Sequence, residues 1–547
     1  MGNENQTTPT LKNPLRVLDL WALGVGIVVC GQYFGWNAGL LGGGPVGMLL
    51  ASLIVCLLFL VWVLTLAELA VAMPRAGGPL DYGHRAGGPW LGFLMAWSML
   101  LECLFGTIAT ALATAWYVAF LLNPEQPDPA VVVWAGLGTI VLFFLLQGWG
   151  VKEQAKALIL MTYAALFGLA IYWFVAGSSF AWERAWPQSD LLTGKGWQSV
   201  LDAVPYALWW LIIIEGIALA AEETHQPHRS IPRGLVLAML TVIVMVVLTL
   251  GLTAGAVPWQ DVTGDYPLAK VVRDVTEGRR AWLLYGFGAI ALFGLIASYH
   301  GLLYSTSRQA FALGRSGHLP AWLGGVHAAR RTPIPSLLAS SLITAGFVIA
   351  SVWYKDAILV AILVAGLSAL ILYILTMACL IRLRRIEPEL FHAYRAPLGW
   401  LLPAAVVLLS GFAIFVYAGI EHGETVLILG ATLYALGLGF FTFRRLRGAI
   451  TERPEVAEPK PAEVPLHISS PSPWLDRLAG ISLVAALLSV AWIATSAFRS
   501  DWLSLASVEV EVVVCIIILS TALALVSGVA LAHTRPGGVQ ERAEGVE

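Results

Sequence analysis

The stretch LGVGIVVCGQYFGWNAGLLGGG, residues 23–44, is an apolar segment interrupted by its own small and polar residues. Leu23 to Val29 have the composition of a membrane helix, yet Cys30, Gly31 and Gln32 follow before Tyr33 resumes the apolar run. Glycine inside a helix costs about 1 kcal/mol relative to alanine. An amide side chain at bilayer depth also needs a hydrogen-bond partner. A weak point of this kind in a spanning helix serves either close helix packing or a binding site.

Composition fixes the surroundings of that stretch. Of 547 residues, 58% are hydrophobic and 12% charged, and the mean hydropathy is +0.78. A soluble domain is about half apolar and about a quarter charged, so an all-α integral membrane protein is expected. A net charge of −2 argues against a nucleic-acid partner. The cysteines Cys30, Cys56, Cys103, Cys379 and Cys515 all lie in apolar runs without paired spacing, as small buried residues do. The polar start MGNENQTTPTLKNP has no apolar core before Leu15, so no cleavable signal peptide is expected. No Walker loop, nucleophile elbow or metal-ligand spacing occurs, which disfavours an enzyme or an ATP-driven pump; neither metal nor cofactor is expected.

About 20 apolar residues cross a bilayer. Fourteen such runs lie near 17–41, 46–72, 91–121, 131–147, 155–176, 200–221, 232–257, 281–307, 335–354, 357–381, 399–419, 424–443, 474–498 and 506–533, numbered here as spans 1–14. Loops after spans 2, 4, 6, 8 and 10 carry Arg75 and Arg85; Lys152; Arg229; Arg315, Arg330 and Arg331; then Arg382, Arg384, Arg385 and Arg395. Short loops after spans 1, 3, 9 and 11 hold only Lys355. The positive-inside rule then places both termini in the cytoplasm, in the cell (inner) membrane. The expected organisation is a tail (1–16), spans 1–6 (17–221), spans 7–10 (222–382), spans 11–12 (383–445), a Pro/Glu-rich cytoplasmic linker (446–473), two extra spans (474–533) and a second tail (534–547).

Span 6, DAVPYALWWLIIIEGIALAAEET, is interrupted as span 1 is, by Pro205, Glu215 and Gly216. Interrupted helices in matching places of two halves point to an inverted-repeat transporter whose opened backbones bind the substrate. Half-helix amino ends favour anions and carboxyl ends favour cations.

Four ordered segments carry a family resemblance: GVGIVVCGQYF; AELAVAMPRAGGPLDYGHRAGGPWLGFLMAW; EGIALAAEETHQPHRSIPRG; and SYHGLLYSTSRQAFALGRSGHLP. Over most of residues 15–445 the chain resembles the amino acid–polyamine–organocation transporter superfamily, and within it the ethanolamine permeases. The resemblance implies a five-plus-five inverted-repeat (leucine-transporter-like) core of ten helices, two further helices, and alternating access without ATP. With the two extra spans, four helices follow the core.

Departures from the family pattern bear on the substrate. Where amino acid carriers keep a Gly-Ser-Gly opening for a carboxylate, this chain has Cys30-Gly31-Gln32, and the glutamine crowds that seat. The usual glycine two places before the span 6 glutamate is Ile213, which suggests a break that is shorter or shifted toward Gly216. A lysine that stands in for sodium in proton-coupled relatives is Ala165 here, and the coupling ion stays open between proton and sodium.

Ionisable residues inside a membrane are costly and are functional candidates. Glu215 would pair with a substrate ammonium or carry a coupled proton; its bland alternative is a structural acid. Glu102, in WSMLLECLFG of span 3, invites the same assignment. His300 in span 8 titrates near physiological pH in principle, although a lone histidine more often serves packing. Glu68 and Glu222, near helix ends, are expected to pair with Arg75 or Arg229. Trp209 matches the family position whose ring closes over the substrate, where a cationic amine over indole gains about 0.5–2 kcal/mol. Trp210 points about 100° away, so at most one of the two faces the cavity. Val29, Cys30, Gly31, Gln32 and Ile213 complete the expected binding site. Tyr33 and Trp36 line an outer vestibule or pack; Asn37 has no assigned role.

The leading expectation is a secondary carrier for a small amine such as ethanolamine, proton-coupled or exchanging. The alternatives are an amino acid symporter or exchanger of the same superfamily, a transporter-like sensor, and a subunit whose extra helices dock a partner protein.

Overall fold

A computed structural model describes residues 15–450 except 75–76, 150, 188–191, 222–223, 263, 328–329, 331, 355 and 449. The linker beyond residue 450 and the expected spans 13 and 14 lie outside the described residues. Apolar runs with no sheet partner close their hydrogen bonds within the segment, and helix is the result. Nine helices among the described residues are long and apolar enough to cross a membrane, from Asn37–Ala72 to Gly423–Leu446. Two shorter apolar helices, Val17–Tyr33 and Ile334–Ala350, fall on spans 1 and 9. Span 6 is the broken series Gln198–Ala207, Leu208–Trp210 and Gly216–Leu219. Each of the first twelve expected spans thus falls on helix. The bridge Leu15–Thr224 is the isolated β pairing among the described residues.

Spans 1 and 2 are joined by a bend, not a loop. The helix Asn37–Ala72 contains Gly44 at φ 68 followed by Pro45. Proline has no N–H to continue the ladder, and the residue before it is driven out of the helical region. Residues 37–43 therefore form the outer end of span 1, and span 2 begins at Pro45.

Span 2 packs on span 6, and span 7 packs on span 1. Span 3 packs on span 10 and span 8 on span 5; span 3 on span 4 and span 8 on span 9. Spans 3 and 8 also meet each other, joined by a 3.0 Å hydrogen bond between the Thr107 and Thr306 hydroxyls.

Where spans 2 and 10 end side by side, Arg384 grips Glu68 with both arms of its fork, Nε at 2.8 Å and Nη2 at 2.6 Å. The Ala396 N–H donates to the same carboxylate at 2.8 Å. Glu68 therefore pairs with Arg384 and not, as one of the two expected partners, with Arg229; the other, Arg75, and Glu222 are outside the described residues. A second pair, Arg85–Glu387 at 2.5 Å, links the 79–87 helix to the segment after span 10.

A breach of the Glu68–Arg384 pair should be costly, because its carboxylate is fully buried. Arg384→Ala is expected to destabilise the protein by about 3–5 kcal/mol, whereas the double replacement of Glu68 and Arg384 by leucine recovers most of that loss. Denaturant unfolding in detergent checks both. At the same end, His318 is buried against Phe93, Phe441 and His84. Burial, and then the neighbouring His84, push its pKa from 6.5 down to about 4. Between those values the unfolded chain takes up a proton that the folded chain refuses, so stability falls as pH drops through that window. His318→Asn is expected to flatten the slope of unfolding midpoint against pH between those limits.

Candidate functional site

The weak point in span 1 is real, and another helix fills it. The Cys30 N–H donates not along its own helix but to Ser298 Oγ of span 8, at 2.9 Å. Ser298 Oγ donates in turn to the Gly26 carbonyl at 2.8 Å. The hydroxyl is spliced into the helical ladder between Gly26 and Cys30. The Thr110 hydroxyl of span 3 lies 3.7 Å from Cys30 Sγ. Val29 keeps helical dihedrals, and its carbonyl accepts from the Gln32 N–H at 3.0 Å. Cys30–Tyr33 then form one more helical turn.

The full departure from helix lies further along than expected, at Phe34–Gly35–Trp36 instead of Cys30–Gln32. Phe34 is extended and Gly35 has φ 90. A Cβ on Gly35 would meet Ile362 Cδ1 at 2.6 Å and Trp209 Cδ1 at 2.7 Å, so both conformation and space require glycine there. Asn37 holds this corner: its Oδ1 accepts from the Gly35 N–H at 3.1 Å, and its Nδ2 donates to the Gly264 carbonyl at 3.0 Å.

In span 6 the break is centred on Ile213, at φ 70, and is not shifted to Gly216, which opens the next helical turn. A β-branched residue in the left-handed region costs about 1–2 kcal/mol. The Ile213 side chain is held against Gly106 of span 3, where a Cβ would lie 2.9 Å from Cδ1.

The two broken spans touch at Gly31 and Trp209. A Cβ on Gly31 would stand 2.5 Å from the Trp209 carbonyl oxygen. The Trp209 ring meets Phe34 edge-on at 5.2 Å, and its Nε1 has no hydrogen-bond partner. Trp210 turns the other way, stacked on Trp36 at 4.9 Å and donating to Ser52 Oγ at 3.0 Å. Trp209 and Trp210 are thus divided between two faces, as their helical spacing implies. Tyr33 packs against Gly294 and donates to the Ala165 carbonyl at 2.8 Å.

Next to these breaks Glu102 and Glu215 lie against each other, and Glu102 also faces the Ile213 backbone. Trp62 of span 2 and Tyr373 of span 10, stacked at 4.1 Å, turn toward Glu215. No oxygen of either carboxyl makes a hydrogen bond of normal geometry, nor do Trp62 Nε1 and Tyr373 Oη. Both polar ends of the buried Gln32 amide are also without a partner. Buried polar groups are nearly always paired, so a cluster of orphans marks a place built for something else. Among the described residues no cation forms an ion pair with either acid.

His300 stands apart from this cluster. It lies against span 4, where Gln147 Nε2 donates to its carbonyl at 2.7 Å and the Phe143 ring is 5.7 Å away. Trp62, Tyr373 and Ser298 were not identifiable from sequence, since an aromatic or serine in an apolar run carries no mark of what it faces. Asn37 did carry a signal, as an amide two residues after a glycine at a helix break.

A profile of the amino acid permease family matches residues 15–442. The chain belongs to that family. The permease is 29% identical over 335 residues to an uncharacterized transporter of Rhizobium meliloti (strain 1021), covering 59% of this chain and 70% of the relative. It is 23% identical to the branched-chain amino acid permease BcaP of Bacillus subtilis (strain 168), over 78% of this chain and 93% of that one. The aromatic amino acid transport protein AroP of Salmonella typhimurium (strain SL1344) is 24% identical over 61% of this chain and 72% of its own. The permease is accordingly a multi-pass secondary transporter of the superfamily that its motifs resemble, and its relatives are carriers and not enzymes.

The Gly31–Trp209 contact gives a prediction whose sign is informative. In an unconstrained helix Gly31→Ala would stabilise by about 1 kcal/mol. Here the new methyl group meets backbone, so the variant should lose stability and lower substrate uptake by about tenfold or more; unfolding and vesicle uptake measure the two effects.

Proposed function

We propose that this permease carries a small amine, ethanolamine being the first candidate, by alternating access at broken spans 1 and 6. The observation that carries this reading is the Glu102–Glu215 pair: two buried acids beside an unwound backbone, with no cation of the described residues ion-paired to them. An ammonium group is the natural complement of such a pair, and Trp209 supplies an aromatic face where the two broken spans touch. The substrate-binding set is Val29, Cys30, Gly31, Gln32, Glu102, Trp209, Ile213 and Glu215, with Trp209 as gate.

The state of span 1 supports an amine without a carboxylate. An anion seat needs free N–H groups at the break, and two of those in span 1 are taken, Cys30 N–H by Ser298 and Gln32 N–H by Val29. The second reading, an amino acid carrier, is favoured by the substrates in the names of BcaP and AroP. The five-plus-five inverted repeat is supported by the packing: exchanging spans 1–5 for spans 6–10 turns the 2–6 contact into 7–1, 3–10 into 8–5, and 3–4 into 8–9. In this reading the permease sits in the cell membrane with cytoplasmic termini, and Glu102 and Glu215 carry any coupled proton. His300, turned toward Gln147, serves packing, and sodium has no assigned seat.

Uptake of labelled ethanolamine into proteoliposomes, competed by choline, alanine and arginine, tests the substrate. Competition by ethanolamine and not by alanine is expected; the reverse would make the permease an amino acid carrier. Glu215→Gln and Glu102→Gln, each removing a charged hydrogen-bond acceptor at a dry site, should weaken ethanolamine binding about ten- to hundredfold.

A further inference from the structure

Two acids in one dry place impose a charge count that a single acid would not. Glu102 and Glu215 are 0% and 3% exposed. The groups that act on them from neighbouring elements are Cys103 of span 3, Tyr373 of span 10, Trp62 of span 2 and the Ile213 backbone, with Tyr434 of span 12 sensing Glu102 from further off. None of these groups can carry a positive charge. Of the span 1 N–H groups that would hold the carboxylate of a zwitterionic substrate, that of Cys30 is taken by Ser298. Net charge in a buried site is strongly disfavoured, and two neighbouring carboxylates disfavour joint ionisation. A closed carrier therefore has two neutral occupancies: both acids protonated, or one acid protonated and the other ionised against one ammonium.

We infer that the permease exchanges one substrate ammonium for one proton at the Glu102–Glu215 pair, with no net charge moved across the membrane. This rests on the amine reading above. On binding, the incoming R–NH3+ keeps its own protons; one carboxyl releases its proton to the side from which the amine came, and the other keeps its proton. After reorientation the ammonium leaves and a proton from the far side takes its place. Each cycle thus moves one ammonium one way and one proton the other. Symport of ammonium with a proton would require a charged closed site: either both acids ionised on the empty return, or one negative charge in the empty site and one positive charge in the loaded one.

The test uses the full chain in proteoliposomes, with initial rates of labelled ethanolamine uptake corrected by protein-free vesicles. Uptake is expected to rise with an outward proton gradient and to ignore potentials set by valinomycin and potassium. In detergent, ethanolamine binding should release one proton to a pH dye, and its apparent affinity should fall about tenfold per unit of acidification while the pair holds its extra proton. Acceleration by an inward proton gradient or by an inside-negative potential overturns the exchange while leaving the amine reading intact. If ethanolamine is neither bound nor carried while alanine is, the amine reading falls and the exchange with it. A folded Glu102→Gln/Glu215→Gln variant should bind no ethanolamine and release no proton; proton release by that variant would place the exchange elsewhere and overturn the assignment.

Discussion

Between Gly26 and Cys30 the hydrogen bond that a helix would make along its own axis runs through the hydroxyl of Ser298. In hydrocarbon an unsatisfied backbone group costs several kcal/mol, roughly the whole margin by which a protein is folded. The serine removes that cost at the place where span 1 must change direction to reach Phe34–Trp36. It also fixes span 1 against span 8, so that Gly31 can lie on the backbone of Trp209. From that contact follow the position of the span 6 break and the meeting of Glu215 with Glu102. One hydroxyl from a third helix therefore sets the geometry in which two broken helices form one site.

Stability is spent close to the site and recovered away from it. Ile213 occupies a conformation that glycine would adopt freely, and two carboxyls, an indole N–H and a phenol beside it lack hydrogen bonds of normal geometry. Against this stand the closely packed glycines of spans 1, 3 and 8 and the bidentate Glu68–Arg384 pair at one end of the bundle. The pattern is that of a rigid frame around a centre left unsatisfied until something occupies it.

Most of the architecture through residue 446 could be read from the sequence, because hydrophobic runs of bilayer length leave helix as the only outcome and charged loops separate them. The site was legible only in pieces. Cys30-Gly31-Gln32 announced a disturbance, but its repair by Ser298 depends on a residue of another span. Pro205 and Glu215 marked span 6, yet Ile213 hid the break, since a β-branched residue is the last expected at positive φ. Glu102 and Glu215 were separate suspects; only packing makes them a pair. Glu68 was assigned to a neighbour in sequence, whereas bundle geometry brings Arg384 to it from the far end of span 10. Side chains that act across helices leave no periodic trace.

Asn37 gives the corner at Gly35 a connection to the outside of the bundle. Its amide clasps the carbonyl of Gly264 in the loop ahead of the Pro267–Val275 helix, while its oxygen holds the turn of span 1. The loop and the outer end of span 1 are in this way one mechanical piece. An antibody fragment that grips the 258–266 loop would act as a brake on the carrier, arresting span 1 from a distance without competing for the substrate's place.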